Sequence, residues 1–193
     1  MIRRIVLVSI GIVIALMLSG IGGYWLAREK WFPFHGWKYI VIHHSATTSG
    51  NAESFHRAHV ARGIPGGLAY HFVIGNGRGS KNGELEKGHR WSESKAGGHV
   101  TIKAWNYNVY GIGICLVGNF ETTTPTDIQW QALVKKTVQL CRQYAIAPEN
   151  ILGHKDVPFF FDHHRTAQTA CPGRYLDINA LRRDVYRQLA LER

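Results

Sequence analysis

Two histidines and a cysteine are placed where they could hold a metal ion. His43 ends a β-branched run, His154 follows Ile151-Leu152-Gly153, and Cys171 lies in Thr169-Ala170-Cys171-Pro172-Gly173, where Pro and Gly fix a tight turn. Two imidazoles and one thiolate make a three-ligand zinc site whose fourth position is free for water, as a catalytic centre needs. Zn²⁺ in such a site lowers the pKa of its water towards about 7 and polarises a carbonyl, which brings amide hydrolysis within reach. The separations are too wide for a zinc finger. Eleven histidines allow many other triples, so spacing alone leaves the choice of ligands open.

The elements that must carry these residues alternate between strand and helix. Lys38 to His43 (KYIVIH), Leu68 to Ile74 (LAYHFVI) and Tyr110 to Val117 (YGIGICLV) read as buried strands, and a fourth, short strand starts at Asn150 to Leu152. Ala52 to Arg62 has helical periodicity and stops at Gly63. Thr126-Asp127-Ile128-Gln129 is a capping box that opens a helix to about Tyr144, and Asp177 caps a last helix with Ile178, Leu181, Val185 and Leu189 on one side. The pattern predicts an α/β domain: a central, mostly buried mixed sheet flanked by helices, with the zinc cleft at the strand ends. Residues 78–107, rich in Gly, Ser, Lys, His and Asn, read as exposed loops.

Composition narrows the partners. The formal charge of +10 suits an anionic partner such as nucleic acid, acidic lipid or a carboxylate-rich polymer. No helix-turn-helix, RNA-binding or zinc-finger pattern supports the first of these, and no nucleic acid is expected. Three cysteines exclude a disulfide framework. Cys115 and Cys141 read as buried small hydrophobes, with a Cys115–Cys141 bridge left open. Residues 1–30 are a segment apart from a single domain at 31–193. The uncharged run from Ile5 to Ala27 is long enough to span a bilayer as an N-terminal transmembrane helix, with Tyr24 and Trp25 at an interface. A cleaved signal peptide is the alternative, although no clean A-x-A site follows. Either way the domain is expected outside the cytoplasm, membrane-anchored or secreted, and as a monomer.

The strings IVIHHSAT, GLAYHFVI, NVYGIGICLVGNF, ILGHKDV and TACPG, in that order, resemble the zinc-dependent N-acetylmuramoyl-L-alanine amidases related to phage lysozyme-type amidases and peptidoglycan recognition proteins. The resemblance covers about residues 37–191. It implies zinc ligation by His43, His154 and Cys171, a catalytic Tyr70 whose phenol donates to the oxyanion, and a catalytic Thr169, at a position that is Lys in some phage enzymes, whose hydroxyl can hydrogen-bond the oxyanion or the water without adding charge. It also implies a substrate groove lined by His99 and Asn108, and peptidoglycan as the polymer cut between the muramyl lactyl group and L-alanine. A non-catalytic peptidoglycan-binding module is the alternative, because recognition proteins that lost a ligand bind without cutting.

One interval departs from the family pattern. His154 and Cys171 are 17 residues apart, about twice the spacing of many relatives, and the intervening PFFFDHHR holds His163 eight residues before Cys171. His154 is preferred as the ligand because it follows a strand, whereas His163 sits in a loop. The run Phe159-Phe160-Phe161 either packs back as a wall of the cleft or dips into a membrane interface. His44, His56, His59, His71, His89 and His164 read as structural or solvated.

Overall fold

The computed structural model describes residues 36–191. The anchor expected at residues 1–30 lies outside the described residues, and among the described residues no helix is long and apolar enough to cross a membrane.

Five strands form one sheet: β1 (Tyr39–His44), β2 (Phe72–Ile74), β3 (Leu85–Lys87), β4 (Gly111–Leu116) and β5 (Ile151–Gly153), in the order β3-β2-β4-β1-β5. β2, β4, β1 and β5 run parallel, and β3 pairs antiparallel with β2 at the edge, so the sheet is mixed as expected. β4 is buried throughout and β1 nearly so, which is why both read as apolar runs and not as alternating patterns. In their register His43 stands beside Cys115 and Ile42 beside Ile114.

Helices α1 (Ala52–Ala61), α2 (His89–Ser92), α3 (Trp105–Val109), α4 (Asp127–Tyr144) and α5 (Ile178–Leu191) complete the domain. The Thr126 hydroxyl accepts from the Gln129 amide, and the Thr126 N–H donates back to the Gln129 side chain. The same Gln129 side chain donates to the carbonyls of Val117 and Ile74, which ties the start of α4 to the ends of β4 and β2. Asp177 caps α5 by accepting from the amides of Asn179 and Ala180, and Ile178, Leu181 and Val185 bury the face that the sequence predicts.

Three expectations change. The second strand spans only Phe72–Ile74, because the amides of Leu68 and Ala69 donate to ring nitrogens of His56 and His59 and not to a neighbouring strand. Residues 78–107 are not all loop: they contain β3, α2 and α3, elements too short for periodicity to reveal. The Phe run splits in three. Phe159 packs on Val41, Val100, Ala104, Tyr107 and Val157, Phe160 leans on Trp105 at 5.0 Å between ring centroids, and Phe161 is 90% exposed. Cys115 and Cys141 are both buried free thiols, so the bridge is not formed.

Candidate metal centre

β1 delivers His43 and β5 delivers His154, both at the carboxyl ends of neighbouring parallel strands, where open α/β sheets bind their ligands. Cys171 reaches the same point from the loop before α5. Its carbonyl accepts from the Lys155 amide at 2.8 Å, which fastens the cysteine turn to the turn that carries His154. Gly173 closes that turn with φ +97°, and a Cβ there would lie 2.4 Å from the Phe120 backbone, so glycine is required at this position.

One ligand atom from each of His43, His154 and Cys171 can be chosen so that all lie within 4.8 Å of one another. His43 Nδ1 is 3.6 Å from Cys171 Sγ. A tetrahedral zinc bonded to one nitrogen and one sulfur holds those two atoms about 3.6 Å apart. The pair is therefore already at the ligand–ligand separation of a zinc site, and the donor set of two imidazoles and a thiol suits Zn²⁺ over harder cations. His163 is exposed and belongs to no such group among the described residues, so the strand-end histidine completes the trio.

Burial sets the protonation of the trio. It holds His43 well below its usual range, with the neighbouring His154 and His99 adding to the effect. It lowers His154 to about 4, with His44 contributing next. It pushes the Cys171 thiol up to about 12, against the His44 amide, which donates to the sulfur at 3.4 Å. The two imidazoles are thus neutral and ready to ligate, while the thiol must lose a proton to do so.

Tyr70 stands over this centre, its ring 5.1 Å from that of His43. Its position follows from the residues beside it. His56 and His59 of α1 hold the amides of Leu68 and Ala69, and the Arg90 guanidinium donates to the carbonyls of Pro65, Leu68 and Ala96. Burial, and then the Cys115 and Cys171 thiols, raise Tyr70 well above its usual pKa and keep the phenol protonated. Cys115, expected as packing, is buried beside His43 in the register of β1 and β4.

The other expected site residues are placed as follows. The Thr169 hydroxyl accepts from the Cys171 amide at 3.2 Å, which braces the cysteine turn. His99 is only 6% exposed, and its Nδ1 lies 3.1 Å from Nε2 of His43. Asn108 has its amide group occupied by the backbone of His99 and Val100. His44, His56, His59 and His71 each accept a backbone N–H at Nδ1, the structural role expected of them.

Residues 33–174 match the model of a family described as N-acetylmuramoyl-L-alanine amidase. Among solved structures, the chain is similar to the N-acetylmuramoyl-L-alanine amidase LysC from Clostridium intestinale, at 25% identity and a TM-score of 0.64 over 79% of this chain and 87% of that one. It shares a fold with Drosophila PGRP-LB, at 24% identity and a TM-score of 0.51 over 72% and 75% of the two chains. It likewise shares one with human PGRP-IBETAC in complex with glycosamyl muramyl pentapeptide, at 21% identity and a TM-score of 0.58 over 76% and 82%. No curated protein matches the chain.

Proposed function

Because the chain belongs to the N-acetylmuramoyl-L-alanine amidase family, we propose that it hydrolyses the amide bond between the muramyl lactyl group and L-alanine of peptidoglycan, with one Zn²⁺ held by His43, His154 and Cys171. The observation that carries this reading is the convergence of two neutral imidazoles and a thiol at the ends of β1 and β5, with a protonated phenol beside them. When bound there, zinc supplies Lewis acidity towards the scissile carbonyl and lowers the pKa of water.

The chain's own residues supply the rest. Tyr70, kept protonated by burial, donates a hydrogen bond to the oxygen that gains charge as the amide is attacked, a contribution of about 10²–10³ in rate for one such donor. Thr169 holds the Cys171 turn and brings no charge of its own. The basic surface suits a polymer that bears peptide carboxylates, and the uncharged run Ile5 to Ala27 would keep the domain at the outer face of a membrane, next to the wall it cuts.

The binding-module reading differs in one respect: recognition without cleavage. All three ligands and Tyr70 are present, which favours the enzyme. The test is to incubate the protein with purified peptidoglycan and analyse the soluble fraction by mass spectrometry. Free stem peptides beginning at L-alanine are the expected product; retention of the protein on the wall with no peptide released would assign it to the recognition class.

A further inference from the structure

His99 makes a contact that ordinary packing does not require. Its Nδ1 lies 3.1 Å from Nε2 of His43, and its own Nε2 lies 3.3 Å from the Gly111 carbonyl oxygen. A carbonyl oxygen only accepts, so the proton of a neutral His99 ring sits on Nε2 and its Nδ1 is a bare acceptor. His43 must then donate from Nε2, which leaves the lone pair on Nδ1. That is the atom facing Cys171 Sγ. The chain Gly111 carbonyl, His99, His43 therefore has one consistent direction, and it ends at the ligand position.

The slot around His99 is built for this ring. A Cβ on Gly97 would lie 2.2 Å from His99 Cδ2, and one on Gly113 would lie 2.5 Å from the same atom, so both neighbours must lack a side chain. The Asn108 side chain accepts from the amides of His99 and Val100 and donates to the Val100 carbonyl, which pins the backbone from which the ring projects.

We infer that His99 is a positioning residue for the metal centre: it fixes His43 as the Nε2–H tautomer and aims Nδ1 at the ion, with Gly97, Gly113 and Asn108 holding it in place. Ligating histidines generally donate their second ring N–H to a partner that orients them, and loss of that partner weakens metal binding by about 10–100-fold. The inference rests on the zinc reading given above, and deepens it by giving His99 a role behind the ligand, with Asn108 holding its backbone.

The test measures zinc affinity by competition with a chromophoric chelator on the full chain, comparing wild type, H99L, H99N and G97A. H99N keeps an acceptor oxygen near the position of Nδ1, whereas H99L fills the slot without one. The expected result is a loss of about 10–100-fold in H99L, with H99N staying closer to wild type. G97A, which displaces the ring and leaves its nitrogens intact, should weaken zinc in the same direction, and it serves if H99L does not fold. Nitrogen-15 NMR of the metal-free protein should show His43 protonated at Nε2 in wild type and as a tautomer mixture in H99L. Wild-type affinity in H99L, or equal losses in H99L and H99N, would overturn the inference while leaving the zinc reading intact. Failure of the wild type itself to bind zinc would overturn the zinc reading, and the NMR tautomer would still report on the His99–His43 bond.

Discussion

Zinc binding to this chain should release one proton at pH 6, and that proton should come from Cys171. The ligands bind as two neutral imidazoles and one thiolate. Burial lowers His154 to about 4 and holds His43 well below its ordinary range, so both are already neutral at pH 6. The Cys171 thiol, pushed up to about 12, is fully protonated there. A site of unperturbed groups would behave differently. Two histidines of ordinary pKa are each about three-quarters protonated at pH 6, and with the thiol they would release about 2.5 protons. The difference between about one and about 2.5 is measurable by titration calorimetry in buffers of different ionisation enthalpy, where the slope of heat against buffer enthalpy counts protons. Working at pH 6 keeps a zinc-bound water, whose pKa is about 7, from contributing. The apparent affinity should rise about tenfold per pH unit between pH 5 and 6.5, since deprotonation of one group is linked to binding. Release of two or more protons would show that burial does not neutralise the histidines. Release of none would remove the Cys171 thiol from the ligand set.

Three further outcomes follow from the same structure. Y70F should retain zinc and lose about 10²–10³ in turnover of a muramyl-peptide substrate; an unchanged rate excludes Tyr70 from the reaction. His71, lowered by burial to about 4 and fully enclosed, contributes stability that is complete above its ordinary 6.5 and is lost as pH falls through 4. Urea denaturation of the metal-free chain at pH 7 and pH 4 should differ by at least about 3 kcal/mol, and equal values would contradict the assignment. T126A removes the hydroxyl that caps α4 and should cost about 1 kcal/mol in the same assay; a change near zero would mean that Gln129 holds the helix start alone.

What the sequence revealed and what it concealed divide along physical lines. The long apolar runs of β1 and β4 and the capping box at Thr126 are local signals, and the structure places these elements within a residue or so of expectation. β3 escaped because three residues carry no period, and because Leu85–Lys87 is a strand only through its pairing with β2. The segment Leu68 to Tyr70 has strand composition, yet the amides of Leu68 and Ala69 are claimed by histidines from α1, a tertiary choice invisible in one dimension. The metal trio was not legible from spacing, since eleven histidines allow many triples; the ordered strings that resemble the amidase family singled it out, and strand-end placement separates His154 from His163. His99 could not be placed the same way. A histidine in a glycine-rich stretch looks like a surface loop residue until Gly97 and Gly113 are seen to open a buried slot for it.

If the centre formed by His43, His154 and Cys171 is the catalytic zinc site, titrating metal-free protein with Zn²⁺ while following release of stem peptides from purified peptidoglycan will show it. No release is expected without metal, the rate should rise in proportion to added zinc and saturate at one equivalent per chain, and C171S should be inactive at that equivalence. Full activity in the metal-free protein, or a zinc-loaded chain that binds the polymer and releases no peptide, would contradict it.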